Sequence, residues 1–260
     1  LPMPCFIRGD DIEFGVRLRE ASIPTVTIPG IAVWHEPFYL KRGSWHLYFD
    51  VVNRLILAAT HRLGSTGAVR RDLFWRFSDL IAMSHYDQAA LVIAAMDDFA
   101  AGPAEVLRSD DERMRRCRAL LDELGPVPVG ATLGAAPVAT VRSTATATPW
   151  DRATKLRRLA AGLLRTKTSH TVPVFEATQS AKSALAMTPV YDVRDHATGQ
   201  LHRYRRDATV EQRLWFRFAR ALRALQLRPG WAGDMQTHID DGWRGYWAEM
   251  FSERELVSDG

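Results

Sequence analysis

Apolar positions along this chain follow two periods. Asp10–Glu20 has helical spacing, with Ile12, Val16 and Leu18 recurring around Gly15. Pro24-Thr-Val-Thr-Ile28 is β-branched and bounded by prolines, and Ile31-Ala-Val-Trp34 follows the turn pair Pro29-Gly30, so two short strands are expected there. From Ser44 onward the period becomes helical. Trp45, Tyr48, Phe49, Val52, Leu55, Ile56 and Ala59 form one stripe, and Leu73, Phe74, Phe77, Leu80 and Ile81 a second. A third carries Leu91, Val92, Ala95, Met96 and Phe99, stopped by Gly102-Pro103, and a fourth helix is predicted over Ala104–Glu123. Residues 125–150, rich in Pro, Ala, Gly and Thr, read as an extended connector.

Beyond the connector the pattern predicts a basic helix over Asp151–Arg165. A hairpin is expected to pair Val190–Arg194 with Leu201–Arg205 around Asp195–Gly199. Asp207 or Thr209 can cap a long helix with Val210, Leu214, Phe218, Leu222 and Leu225 on one side, ended by Pro229-Gly230. Trp243, Tyr246, Trp247, Met250 and Phe251 mark a last amphipathic helix. The expected class is α/β at the start, then a mainly α-helical region with one β-hairpin.

Composition narrows the classes. Across 260 residues, 47% are hydrophobic and 25% charged, which excludes disordered and collagen-like chains. The longest apolar runs, Val51–Thr60 and Ala89–Met96, are about half what a bilayer span needs. Cys5 and Cys117 lack ligand-spaced partners, so neither a disulfide framework nor a zinc knuckle is indicated. The opening Leu1-Pro-Met-Pro-Cys-Phe-Ile7 is apolar and strand-like, without an initiator Met or a basic leader, and reads as a piece of a longer protein.

Charge is unevenly spread. Residues 1–150 carry 16 Lys and Arg against 17 Asp and Glu, residues 151–228 carry 16 against 6, and residues 229–260 carry 2 against 7. The basic middle segment points to an anionic partner. Within it Arg213, Arg217, Arg220 and Arg223 stripe one helix face, which suits either plain solvation or anionic lipid headgroups. The chain carries no helix-turn-helix, finger or RNA-binding signature, so no nucleic-acid partner is expected.

The chemistry concentrates near the start. Phe6-Ile-Arg-Gly-Asp10-Asp11-Ile-Glu13-Phe-Gly15 places three carboxylates in the first turn of a predicted helix. A helix N-terminus favours such charges, so capping by Asp10 or Asp11 is one reading. Trp34-His35 ends the second predicted strand, where α/β folds place site residues. A lone histidine there is more often a structural hydrogen-bonder than a metal ligand.

Taken together, these residues resemble the inverting nucleotide-sugar glycosyltransferases of the GT-A fold. In that family an acidic pair opening a helix is followed about two dozen residues later by Trp-His; here Asp11 and His35 are 24 positions apart. The likeness is sharper with the actinobacterial galactofuranosyltransferases that polymerise cell-wall galactan. It extends through Trp45–Leu55, Ala58–His61 and Asp97–Pro103, good over residues 5–105 and thin afterwards.

The resemblance implies the C-terminal portion of a GT-A catalytic domain at 1–65 and a helical C-terminal region at 66–260, with its connector at 125–150 and basic segment at 151–228. It assigns Asp11 as catalytic base, Asp10 and Trp34 as substrate contacts, and His35 as ligand to a divalent metal (Mn or Mg). The implied donor is UDP-galactofuranose and the acceptor a lipid-linked galactan. The implied setting is a homo-oligomer peripheral to the cytoplasmic face of the plasma membrane. The family's Asp-x-Asp and its uridine-binding half would lie upstream of Leu1, so the chain is expected to be inactive alone. Gly9 stands where the closest relatives carry an aromatic, and Phe38 where they tend to carry Trp. Another sugar donor, such as a rhamnosyl nucleotide, and a non-enzymatic basic module remain alternatives.

Overall fold

A computed structural model describes residues 8–34, 44–106, 110–129, 172–176, 185, 188–195, 198–227 and 230–238. The elements run α1 (Asp10–Glu20), α2 (His46–Thr60), α3 (Thr66–Ala82), α4 (Tyr86–Ala101), α5 (Pro103–Val106) and α6 (Asp110–Leu124). They continue through β1 (Val127–Val129), β2 (Val174–Glu176), β3 (Val190–Arg194), β4 (Leu201–Arg205), α7 (Ala208–Ala224) and α8 (Trp231–His238).

The core is organised around α4. Every residue from Ala89 to Met96 is at most 2% exposed, so the helix is buried all round instead of presenting one stripe. Its apolar girth is covered by α2, α3, α6 and α7. Phe77 of α3 stacks on Phe218 of α7, ring centroids 4.0 Å apart and nearly coplanar. Some of the polar groups buried beside this core are paired. The Tyr48 hydroxyl donates to Asp98 at 2.6 Å, and Arg116 of α6 closes on the same carboxylate. Burial pushes the Cys117 thiol up to about 11, leaving it a small inert core side chain.

The sheet has the order β1-β4-β3-β2. β3 and β4 form the expected antiparallel hairpin, with Tyr191 opposite Tyr204. β2 adds in parallel to β3, and β1 adds antiparallel to β4. Pro128 in β1 cannot donate to a ladder, which fits its place on an edge strand. The sheet is tied to the helices where the Tyr191 hydroxyl donates to the Met83 carbonyl and His85 lies over Tyr204, 4.7 Å between centroids.

Several expectations are corrected. Pro24–Ile28 and Ile31–Trp34 form no strand among the described residues; Pro24 and Pro29 lack the N–H a ladder needs, and no neighbouring strand meets them. α5 and α6 cover the described parts of the helix expected over Ala104–Glu123, and residues 107–109 lie outside the described residues. The connector contributes β1, and the sheet has two more strands than the hairpin alone. The helices expected at Asp151–Arg165 and around Trp243–Phe251 lie outside the described residues.

Candidate active-site helix

The first turn of α1 is built on strained backbone. Arg8 has φ 100° and Gly9, the N-cap, has φ 90°. Glycine takes that conformation freely, whereas a side chain there costs on the order of 1–3 kcal/mol. α2 holds the turn in place. The Asn53 amide donates to the Arg8 carbonyl at 2.6 Å, and the Arg8 guanidinium lies 3.6 Å from Asp50. Asp50 is also paired with Arg76 of α3. The Gly9 carbonyl then accepts the first helical bond, from the Glu13 N–H at 2.8 Å.

The three carboxylates do different things. Asp10 and Asp11 are exposed at the helix mouth. The N-cap position is Gly9 and not Asp10 or Asp11, but the Asp11 carboxylate does accept a first-turn N–H, that of Ile12 at 2.8 Å. Glu13 is 2% exposed and structural. It forms an ion pair with Arg17 at 2.7 Å and faces His61 Nε2 at 3.4 Å, while His61 Nδ1 meets Glu20 at 2.9 Å. His61, just past the end of α2, thus joins both the middle and the end of α1 to the core. An exposed acidic pair on a helix tied to α2 through Asn53 and to its end through His61 is suited to accepting a proton from a substrate hydroxyl.

Trp34 is 92% exposed on the unpaired segment after α1. His35 lies outside the described residues. Among the described residues no group of three or more His, Cys, Asp or Glu is arranged to hold a metal ion.

Beside Asp11, Ile12 opens onto an apolar cleft of about 460 Å³ between α1, α2 and α3. Leu55, Ala58, Val69 and Leu73 line it, and Arg54 and Asp72 pair across its rim at 3.3 Å. Sequence reasoning assigned no role to Asn53, Glu13 or His61. The available signal was an amide inside the apolar stripe of α2 and a histidine immediately after it.

No family model matches the chain. It is 39% identical to galactofuranosyltransferase GlfT2 of Mycobacterium tuberculosis (strain ATCC 25618 / H37Rv) over 111 residues, covering 40% of this chain and 17% of that protein. It is 33% identical to the protein of the same name from Mycolicibacterium smegmatis over 175 residues, covering 65% of this chain and 27% of that one. The chain is therefore a relative of actinobacterial galactofuranosyltransferases, and spans little more than a quarter of their length at most.

Proposed function

We propose that the chain is part of a glycosyltransferase that moves galactofuranose from UDP-galactofuranose to a lipid-linked galactan acceptor with inversion. The observation that carries this reading is the exposed Asp10–Asp11 pair on a helix mouth that α2 fixes, in a chain related to galactofuranosyltransferases. Asp11 takes the proton of the acceptor hydroxyl as that oxygen attacks the anomeric carbon, and UDP leaves from the opposite face. Asp10 and Trp34 contact the substrates. His35 helps hold a divalent metal (Mn or Mg), which supplies charge neutralisation for the departing diphosphate. Residues 1–65 complete a GT-A catalytic domain whose remaining part supplies the nucleotide site.

The test is a chimera in which this chain replaces the matched segment of the M. smegmatis relative, assayed for transfer from UDP-galactofuranose and from a panel of other nucleotide sugars. Asp11→Asn is expected to lower kcat by about 10²-fold or more with the circular dichroism unchanged. A folded Asp11→Asn chimera with most of its activity would remove Asp11 as base. Preference for a rhamnosyl or galactopyranosyl donor would replace the proposed sugar.

Peripheral membrane contact is the part of this reading that α7 favours. Its outward face carries Arg213, Arg220 and Arg223, with Phe216 71% exposed among them. No helix among the described residues is long and apolar enough to cross a membrane. Homo-oligomerisation is proposed with the rest of the family reading.

A further inference from the structure

The mouth of α1 is held by a feature that stability alone does not call for. Asp50, Asn53 and Leu57 share one face of α2, at helical spacings of three and four. Asn53 is 2% exposed and is the one amide side chain among the buried residues of α2. A buried amide is costly unless it is bonded, and this one donates to the Arg8 carbonyl. A Cβ at Gly9 would touch the Asn53 Cβ and a Leu57 methyl at 3.5 Å each, so the turn lies directly against α2.

The Arg8 carbonyl belongs to the peptide joining two left-handed residues. Such a peptide is planar, and its rotation about the flanking bonds is the simplest motion by which the first turn could swing. Holding the oxygen blocks that rotation. The next carbonyl, of Gly9, already receives the Glu13 N–H, so the restraint passes directly into the turn bearing Asp11.

We propose that Asn53 is a positioning residue for the transfer reaction: by pinning the Arg8–Gly9 peptide it fixes the direction in which the Asp11 carboxylate leaves the helix mouth. This rests on reading Asp11 as the base. Asn53 touches no substrate and acts only through the backbone.

Two variants test it. Asn53→Leu keeps the branching at Cγ and loses the donor; Asn53→Asp keeps the shape and turns an acceptor toward the carbonyl. In the chain itself, amide exchange at Glu13 is expected to accelerate about tenfold or more in both, with Leu91–Met96 unchanged. In the chimera, kcat is expected to fall about tenfold or more, since small misplacements of a reacting group are costly. KM is expected to stay within about twofold. Unchanged exchange at Glu13 overturns the restraint. Faster exchange with unchanged kcat, in a chimera that Asp11→Asn inactivates, overturns the positioning role. A chimera still active as Asp11→Asn overturns the base reading on which the role depends, while the exchange result still decides the restraint.

Discussion

Single side chains in this molecule divide by whether their environment tolerates charge. Asp87, at the start of α4, is 4% exposed beneath the aromatic side of the sheet, and burial raises its carboxyl to about 6 from the ordinary 3.8. Backbone N–H groups of Asp87 and Gln88 offset part of that rise. An acid with a higher pKa in the fold than in the unfolded chain favours folding while protonated. That contribution is whole below about pH 4 and lost as pH climbs through about 6, a change on the order of 3 kcal/mol. Asp87→Asn is therefore expected to raise the urea midpoint at pH 7.5 and to flatten the pH dependence between 4 and 7. Equal midpoints for both proteins at every pH would show that Asp87 ionises at no cost. Glu13 and Glu211 are buried too, but each meets an arginine, Glu13 at 2.7 Å from Arg17 and Glu211 at 3.0 Å from Arg206.

Among the elements, α7 shows how a helix end is specified. Asp207 accepts from the N–H groups of Thr209 and Val210, at 2.9 and 3.1 Å, as its place before an apolar stripe predicts. Asp207→Ala is expected to cost about 1 kcal/mol in chemical unfolding. At the other end Arg70 of α3 donates to the Leu225 carbonyl at 2.6 Å, a partner 155 positions away that no local pattern announces. The same contrast runs through the fold. α1, α2, α3, α7 and the hairpin were legible because their periods are long enough to count. β1 and β2 have three residues each and carry no period, and their places depend on pairing with distant strands. The candidate site was half legible. The acidic pair stands out in the sequence, whereas the Asn53 bond that holds its turn joins residues 45 apart.

For the molecule as a whole, the outward face of α7 sets the prediction about surfaces. Each arginine near an anionic bilayer adds about 1 kcal/mol, so Arg213→Glu with Arg223→Glu is expected to weaken binding to phosphatidylserine-containing vesicles about thirtyfold or more. Neutral phosphatidylcholine vesicles should show no difference between the two proteins. Equal co-sedimentation of both with the anionic vesicles would count against a lipid partner for this face. The stretch from Ile23 to Trp34 has a different bearing. It carries no charge, and Val26, Ile28, Ile31 and Val33 are all more than half exposed. Such a run invites fibrillar self-association, which needs six or seven uninterrupted residues of high β-propensity. Pro24 and Pro29 limit the longest uninterrupted β-branched run to the four residues Thr25–Ile28, and Gly30 interrupts again before Ile31. Those breaks sit where gatekeeper residues belong, keeping each apolar run shorter than a self-templating segment needs.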